Sequence, residues 1–99
     1  MNVSDMERSA KAGEDPPREL GDALKAMWLA CAGDWDTAHE LCQQVAGSDG
    51  AWIHAYLHRV EGDLGNASYW YGVAGKLQPP GQQALDQEWR AMVEELMAP

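Results

Sequence analysis

The stretch Gly33-Asp34-Trp35-Asp36-Thr37-Ala38 is followed, 29 residues along the chain, by Gly62-Asp63-Leu64-Gly65-Asn66-Ala67. Each stretch has glycine and aspartate, then a bulky residue, then alanine three positions after the bulky residue. Glycine commonly ends a helix and aspartate commonly caps the next one, so both stretches predict a turn between two helices. A fixed period of such turns is typical of repeated helical hairpins. The sequence therefore predicts an all-α protein.

Apolar residues at helical spacing predict five helices and no strand between about Arg18 and Met97. We expect the helices at about 18–32, 34–46, 51–61, 64–77 and 82–97, and the last one closes the stack of hairpins. Gly47-Ser48-Asp49-Gly50 is expected to form a loop, because all four residues are common in turns. Residues 18–99 are accordingly predicted to form a single helical repeat domain.

The first 17 residues are polar and end in a pair of prolines. We expect residues 1–17 to be a flexible polar tail, because no apolar stripe offsets an ordering entropy of roughly 1–2 kcal/mol per residue. About 80 residues then remain for the core, which is near the lower limit for an independent domain. A homodimer that buries further apolar surface is therefore plausible.

The chain has 16 acidic and 7 basic side chains, which gives a net charge of −9. Nucleic-acid binding through phosphates needs clustered lysine and arginine, so we expect no direct contact with nucleic acid. An acidic surface instead suits a basic protein partner, or mimicry of the charge of a nucleic acid. The net negative charge comes from outside residues 51–81, because the charges within that range sum to zero.

Cys31 and Cys42 flank the first Gly-Asp turn. In a hairpin that turns near Asp34, the two cysteines are offset by roughly 8 Å along the helices, which is too far for an unstrained disulfide. We expect free thiols and a reducing compartment. No apolar run approaches the ~20 residues of a membrane span, and the N-terminus lacks a signal-peptide segment, which predicts a cytoplasmic protein with no membrane contact.

The second repeat unit resembles a tetratricopeptide repeat. Ala55 precedes its Gly62-Asp63 turn, and the residues that follow at the favoured spacings are Ala67, Tyr71, Ala74 and Pro79. The first unit is similar through Ala26, Gly33-Asp34 and Ala38, but has Cys42 and Val45 in place of the aromatic residue and the later alanine. The period is also shorter than the usual ~34 residues. The resemblance implies stacked, tetratricopeptide-like hairpins with a C-terminal capping helix.

The chain from Trp35 to Gly75 also resembles an uncharacterised family of small proteins. The shared phrases are Ala38-His39-Glu40, His54-Ala55-Tyr56-Leu57-His58-Arg59 and Asn66-Ala67-Ser68-Tyr69-Trp70-Tyr71. No activity is assigned to that family, so the resemblance singles out these residues without indicating their role.

His54, His58 and Glu61 lie at positions i, i+4 and i+7, on one stripe of the third predicted helix. The tetratricopeptide likeness implies that both histidines face the second helix of the same hairpin, where the aromatic residues are Tyr69, Trp70 and Tyr71. His39 and Glu40 of the preceding hairpin are candidates to join them. Two histidines four residues apart on a helix can chelate Zn²⁺ if another helix supplies a third ligand.

Three interpretations of the histidines are open. A Zn²⁺ site would use His39, His54 and His58 as ligands. General acid–base catalysis would use a histidine with a pKa near neutrality, and tyrosine and Arg59 would bind the substrate. Alternatively, the histidines donate to tyrosine hydroxyls and backbone carbonyls and lock the hairpins together.

Trp52, Tyr56 and Arg59 form a separate stripe, on the side where tetratricopeptide arrays have their concave groove. Exposed aromatic side chains beside an arginine are a common anchor for a peptide or a partner helix. The alternative is that the acidic tail or the last helix folds over them.

We therefore expect a non-enzymatic module that binds a protein segment or a small ligand, with Zn²⁺ as the one candidate cofactor. Its expected contact residues are Trp52, Tyr56, His58, Arg59, Tyr69 and Trp70. One alternative is a small metal- or histidine-dependent enzyme with its site at His39, His54 and His58. Another is an acidic mimic of nucleic acid that acts as an inhibitor.

Overall fold

The computed structural model describes residues 1–81 and 84–98, and these residues form six helices without a strand. The helices are α1 (Val3–Lys11), α2 (Asp22–Cys31), α3 (Trp35–Cys42), α4 (Gly47–Val60), α5 (Leu64–Ala74) and α6 (Leu85–Met97). The predicted all-α class is confirmed. The predicted start of the last helix at Gln82 lies outside the described residues.

Both repeated stretches form the turns that their residues predict. Gly33 and Gly62 end their turns with positive φ angles of 88° and 85°, which glycine adopts without strain. The Asp34 carboxylate accepts a hydrogen bond from the Thr37 amide, and that of Asp63 accepts one from the Asn66 amide. Each aspartate therefore caps the helix that follows it. As a result α2 packs on α3, and α4 packs on α5, as two helical hairpins.

The loop predicted at residues 47–50 is wrong, because these residues form the first turn of α4. Gly50 is the reason why the helix can begin so early. A Cβ atom at this position would lie 2.2 Å from the carbonyl oxygen of Val45, which is an impossible contact. The missing side chain thus lets the end of the first hairpin approach the start of α4 closely.

The expectation that residues 1–17 stay outside the core is also wrong. Helix α1 begins with a capping box, in which the Asn2 side chain accepts from the Asp5 amide and the Asp5 side chain accepts from the Asn2 amide. Met6 is fully buried in the main apolar cluster. The indole Nε1 of Trp28 donates to the Ser9 hydroxyl over 2.9 Å, which ties α1 to α2.

Helix α6 packs mainly on α2, with smaller contacts to α1 and α4. The Trp89 indole donates to the carbonyl oxygen of Met27 at 2.7 Å, inside the core. The last helix therefore lies against α2, α1 and α4, and its role as the cap of a repeat stack stays a prediction. Cys31 and Cys42 are free thiols, as expected.

Candidate metal centre

Three histidines from the two hairpins meet between α3 and α4. His54 and His58 are one turn apart on α4, so their rings stack with centroids 4.9 Å apart. His39 of α3 reaches across, and its Nε2 atom lies 2.9 Å from Nε2 of His54. One ring nitrogen from each histidine lies within 4.8 Å of the other two. We call these three residues the histidine cluster.

Two tryptophans form the walls of the histidine cluster. Trp35 stacks on His39 with ring centroids 4.7 Å apart, and its indole nitrogen donates to the Leu57 carbonyl oxygen at 2.7 Å. On the other side, Trp70 of α5 stacks on His54 at 4.0 Å, with the rings 11° from parallel. The orientation of both imidazoles is thus fixed by large flat neighbours.

A carboxylate holds the third imidazole. Nδ1 of His58 lies 2.6 Å from Oε1 of Glu61, one turn further along the chain. This contact occupies Nδ1 of His58 and leaves Nε2 as the ring nitrogen that could bind a metal ion. A carboxylate on the far nitrogen of a histidine is a common arrangement behind a metal-bound imidazole, because it fixes the tautomer and raises the basicity of the ligand.

The surroundings favour uncharged imidazoles. Burial lowers the pKa of His54 to about 4, and the nearby His39 ring acts in the same direction. Burial, followed by the charge of His58, also lowers the pKa of His39. Near pH 7 the short contact between the two Nε2 atoms is then one N–H···N hydrogen bond. A second proton would bring two N–H donors face to face.

The separation between the donor atoms of His39 and His54 is close to what a tetrahedral metal ion requires. Zn²⁺ binds neutral imidazole nitrogens at about 2.0–2.1 Å, which separates two ligand nitrogens by about 3.3 Å. The observed 2.9 Å between His39 and His54 needs to open by only a few tenths of an ångström. Three histidine ligands leave the fourth position for water or another ligand.

The thiol of Cys42 lies beside the histidine cluster but has a different role. It donates to the backbone carbonyl oxygen of His39 at 3.1 Å. Burial raises its pKa to about 11, so the thiol stays protonated near neutral pH. The donor atoms that converge within 4.8 Å of one another at this place are the imidazole nitrogens of His39, His54 and His58.

A cavity of about 390 Å³ opens beside His54. It lies between the end of the first hairpin and α5, and its walls include Cys42, Val45, Ala51, Trp70 and Val73. His54 therefore has the histidine cluster on one side and this groove on another.

The structure does not bring the predicted Trp52, Tyr56 and Arg59 stripe to an open groove. Tyr56 and Arg59 are buried, and the guanidinium of Arg59 donates to the Glu88 carboxylate of α6 at 2.7 Å. The last helix thus contacts Arg59 of this stripe, as in the alternative in which it folds over these residues. Trp52 is half-buried, with the ammonium of Lys76 4.1 Å from the centre of its ring.

The remaining predicted residues divide between the cluster and the surface. Glu40 is exposed and lines a different cavity with Lys25 and Leu29, so it does not join the histidines. Tyr69 is 63% exposed and meets Trp70 edge to face at 5.2 Å. Sequence reasoning missed Trp35. The signal was its position four residues before His39, which places both rings on one face of α3.

No family model, curated protein or solved structure matches the chain. None of the helices in the described ranges combines the length and the apolar character needed to cross a membrane. The function is therefore inferred from the geometry of the site itself.

Proposed function

We propose that this protein is a small metal-binding module that holds one Zn²⁺ ion through His39, His54 and His58. The observation that carries the proposal is the convergence of three imidazoles, two of them with a lowered pKa, within 4.8 Å of one another. A metal site needs neutral imidazole, and burial favours that form of His39 and His54 at physiological pH. Imidazole ligands suit Zn²⁺ better than they suit Mg²⁺ or Ca²⁺.

The ion would join the two hairpins. His39 belongs to α3, whereas His54 and His58 belong to α4, so a bound ion cross-links neighbouring units of a tetratricopeptide-like stack. Binding would replace the weak hydrogen bond between His39 and His54 with two coordinate bonds. The role that follows is a non-enzymatic one, in which the metal stabilises the hairpin arrangement and the fourth coordination position stays available to a small ligand.

The competing explanation is that the three imidazoles only pack and hydrogen-bond. The two explanations differ in what the cluster does when Zn²⁺ is added. Packing alone predicts no stoichiometric binding, whereas a site predicts one ion per chain and a strong dependence on each of the three side chains.

Calorimetric titration of chelator-treated protein with Zn²⁺ tests the proposal. Near pH 7 we expect saturation at one ion per chain. His39→Gln and His54→Gln should each weaken binding by more than about 100-fold, because they remove a ligand. Glu61→Gln should weaken it by about 10–100-fold, because it removes only the carboxylate behind His58. Co²⁺ in place of Zn²⁺ should give the visible absorption of a tetrahedral site.

Two control variants separate this site from adventitious binding. Cys31→Ser removes a half-exposed thiol, and Glu40→Gln removes an exposed carboxylate next to His39 in sequence. Both should bind Zn²⁺ as the unmodified protein does. If the variants without His39 or His54 bind as tightly as these controls, the metal lies elsewhere and the proposal fails.

A further inference from the structure

The outer face of α5 is apolar and has no neighbour among the described helices. Helix α5 packs on α4 alone, while its other side exposes Tyr69 and Val73, which are 63% and 52% accessible. Leu64 at the start of α5 and Leu77 beyond its end are exposed apolar residues as well. A helix that is apolar all round is normally covered on every side, so this face is expected to have a partner.

The charge of this face indicates which partner fits. Leu64–Ala74 contains no acidic or basic residue, although the whole chain carries −9. A basic partner would be attracted to the acidic surfaces elsewhere. A second copy of this chain, in contrast, is repelled at those surfaces and can approach without repulsion only where charge is absent.

The shape of the surface suits a copy of itself. Tyr69 and Val73 form a ridge, and Val73 is also one wall of the 390 Å³ groove beside His54. The face therefore carries a ridge beside a groove. A two-fold interface requires a self-complementary surface, because the same patch of each copy contacts the other.

We propose that two copies of this chain associate through the outer face of α5 and the adjoining groove, as a two-fold homodimer. A standard interface covers about 800 Å² per partner, roughly a seventh of the 5558 Å² surface of this chain. One short helix is too small for that area, so the groove between α5 and the end of the first hairpin belongs to the interface. This inference goes beyond the metal site, and the two regions share His54 and Trp70 at the edge of the groove.

Sedimentation equilibrium of the full chain in excess chelator tests the dimer without any contribution from Zn²⁺. Between about 1 µM and about 1 mM we expect the mass to rise from the 10.9 kDa of one chain to twice that value. Val73→Glu should shift the midpoint of this rise at least about 10-fold to higher concentration, because it places like charges across the interface.

Leu85→Glu is the matched control, since it puts the same charge on an exposed apolar residue of α6, away from α5. This variant should associate as the unmodified protein does, and circular dichroism should show that both variants are folded. His39→Gln removes a metal ligand that does not line the groove, so it should also still associate, and failure of the metal site then does not mimic failure of the dimer. A chain that stays monomeric up to about 1 mM, or association that Val73→Glu leaves unchanged, overturns the proposal.

Discussion

The protonation of His54 makes the stability of the folded protein depend on pH. Its pKa in the folded protein is about 4, whereas an unperturbed histidine titrates near 6.5. The unfolded chain therefore binds more protons than the folded one between these values. The stability that the neutral ring contributes is complete above about pH 6.5 and is lost as the pH falls towards 4.

We predict that His54→Leu makes the free energy of unfolding less dependent on pH. Leucine keeps an apolar side chain against Trp70 and removes the group that resists protonation. In chelator, the unmodified protein should lose about 1–2 kcal/mol more than the variant between pH 7 and pH 4.5, after allowance for the partial exposure of the ring. Urea unfolding followed by ellipticity at both pH values measures this difference. Parallel curves for the two proteins would contradict the prediction.

All three members of the histidine cluster were predicted, but the spacing of residues along one helix accounts for only two of them. The four-residue spacing predicts that His54 and His58 share a face of one helix, and the structure places them in contact. That His39 reaches them depends on how α3 crosses α4, which is a tertiary property that spacing within one helix does not contain. The burial of Arg59 was predicted only as an alternative for the same reason, since its partner Glu88 lies 29 residues further along the chain.

At the level of helices, the repeated Gly-Asp stretches were the reliable signal because their effect is local. A positive φ at glycine and an aspartate cap depend on only a few neighbouring residues. Helix α1 was missed because its apolar side chains are few and its charged residues are many. Its signal was the capping pair Asn2 and Asp5, followed by Met6 and Ala10 on one face.

We predict that α1 contributes to stability through Met6. Met6→Ala should cost about 2–5 kcal/mol, because it removes a fully buried side chain and leaves a cavity against α2 and α6. Leu77→Ala is the control, since Leu77 is 95% exposed, and it should change the free energy of unfolding by less than about 0.5 kcal/mol. Urea unfolding monitored by tryptophan fluorescence measures both. Equal stability of the two variants would mean that α1 is dispensable.

At the scale of the whole molecule, the described residues form two apolar clusters that meet at α4. The larger one draws residues from α1, α2, α3, α4 and α6, and the smaller one joins α4 to α5 through Ala55, Ala67 and Tyr71. A buried polar network connects them. The Glu88 carboxylate of α6 accepts hydrogen bonds from the Tyr71 hydroxyl and from the Arg59 guanidinium. Burial and the bond to Glu88 raise the pKa of Tyr71 well above its usual value, so its hydroxyl remains a donor.

We predict that this network makes the molecule unfold as one unit. Glu88→Ala should cost about 3–5 kcal/mol, because it removes the carboxylate that neutralises buried Arg59 and leaves the Tyr71 hydroxyl without its acceptor. Glu88→Gln should cost less, since the amide oxygen can still accept from Tyr71. Glu94→Ala removes an exposed carboxylate from the same helix and should change stability by less than about 0.5 kcal/mol.

Urea unfolding followed by two signals tests the coupling between the clusters. Each protein is compared in a Trp70→Phe background, in which the remaining tryptophans all lie in or against the larger cluster, so that fluorescence reports on that cluster, while ellipticity reports on all helices, including α5. The two transitions should coincide in the unmodified protein and in Glu94→Ala. In Glu88→Ala the ellipticity should begin to fall at a lower urea concentration, because α5 then depends on α4 alone. If Glu88→Ala is as stable as Glu94→Ala, then apolar packing, and not this ion pair, holds α5 and α6 in one cooperative structure.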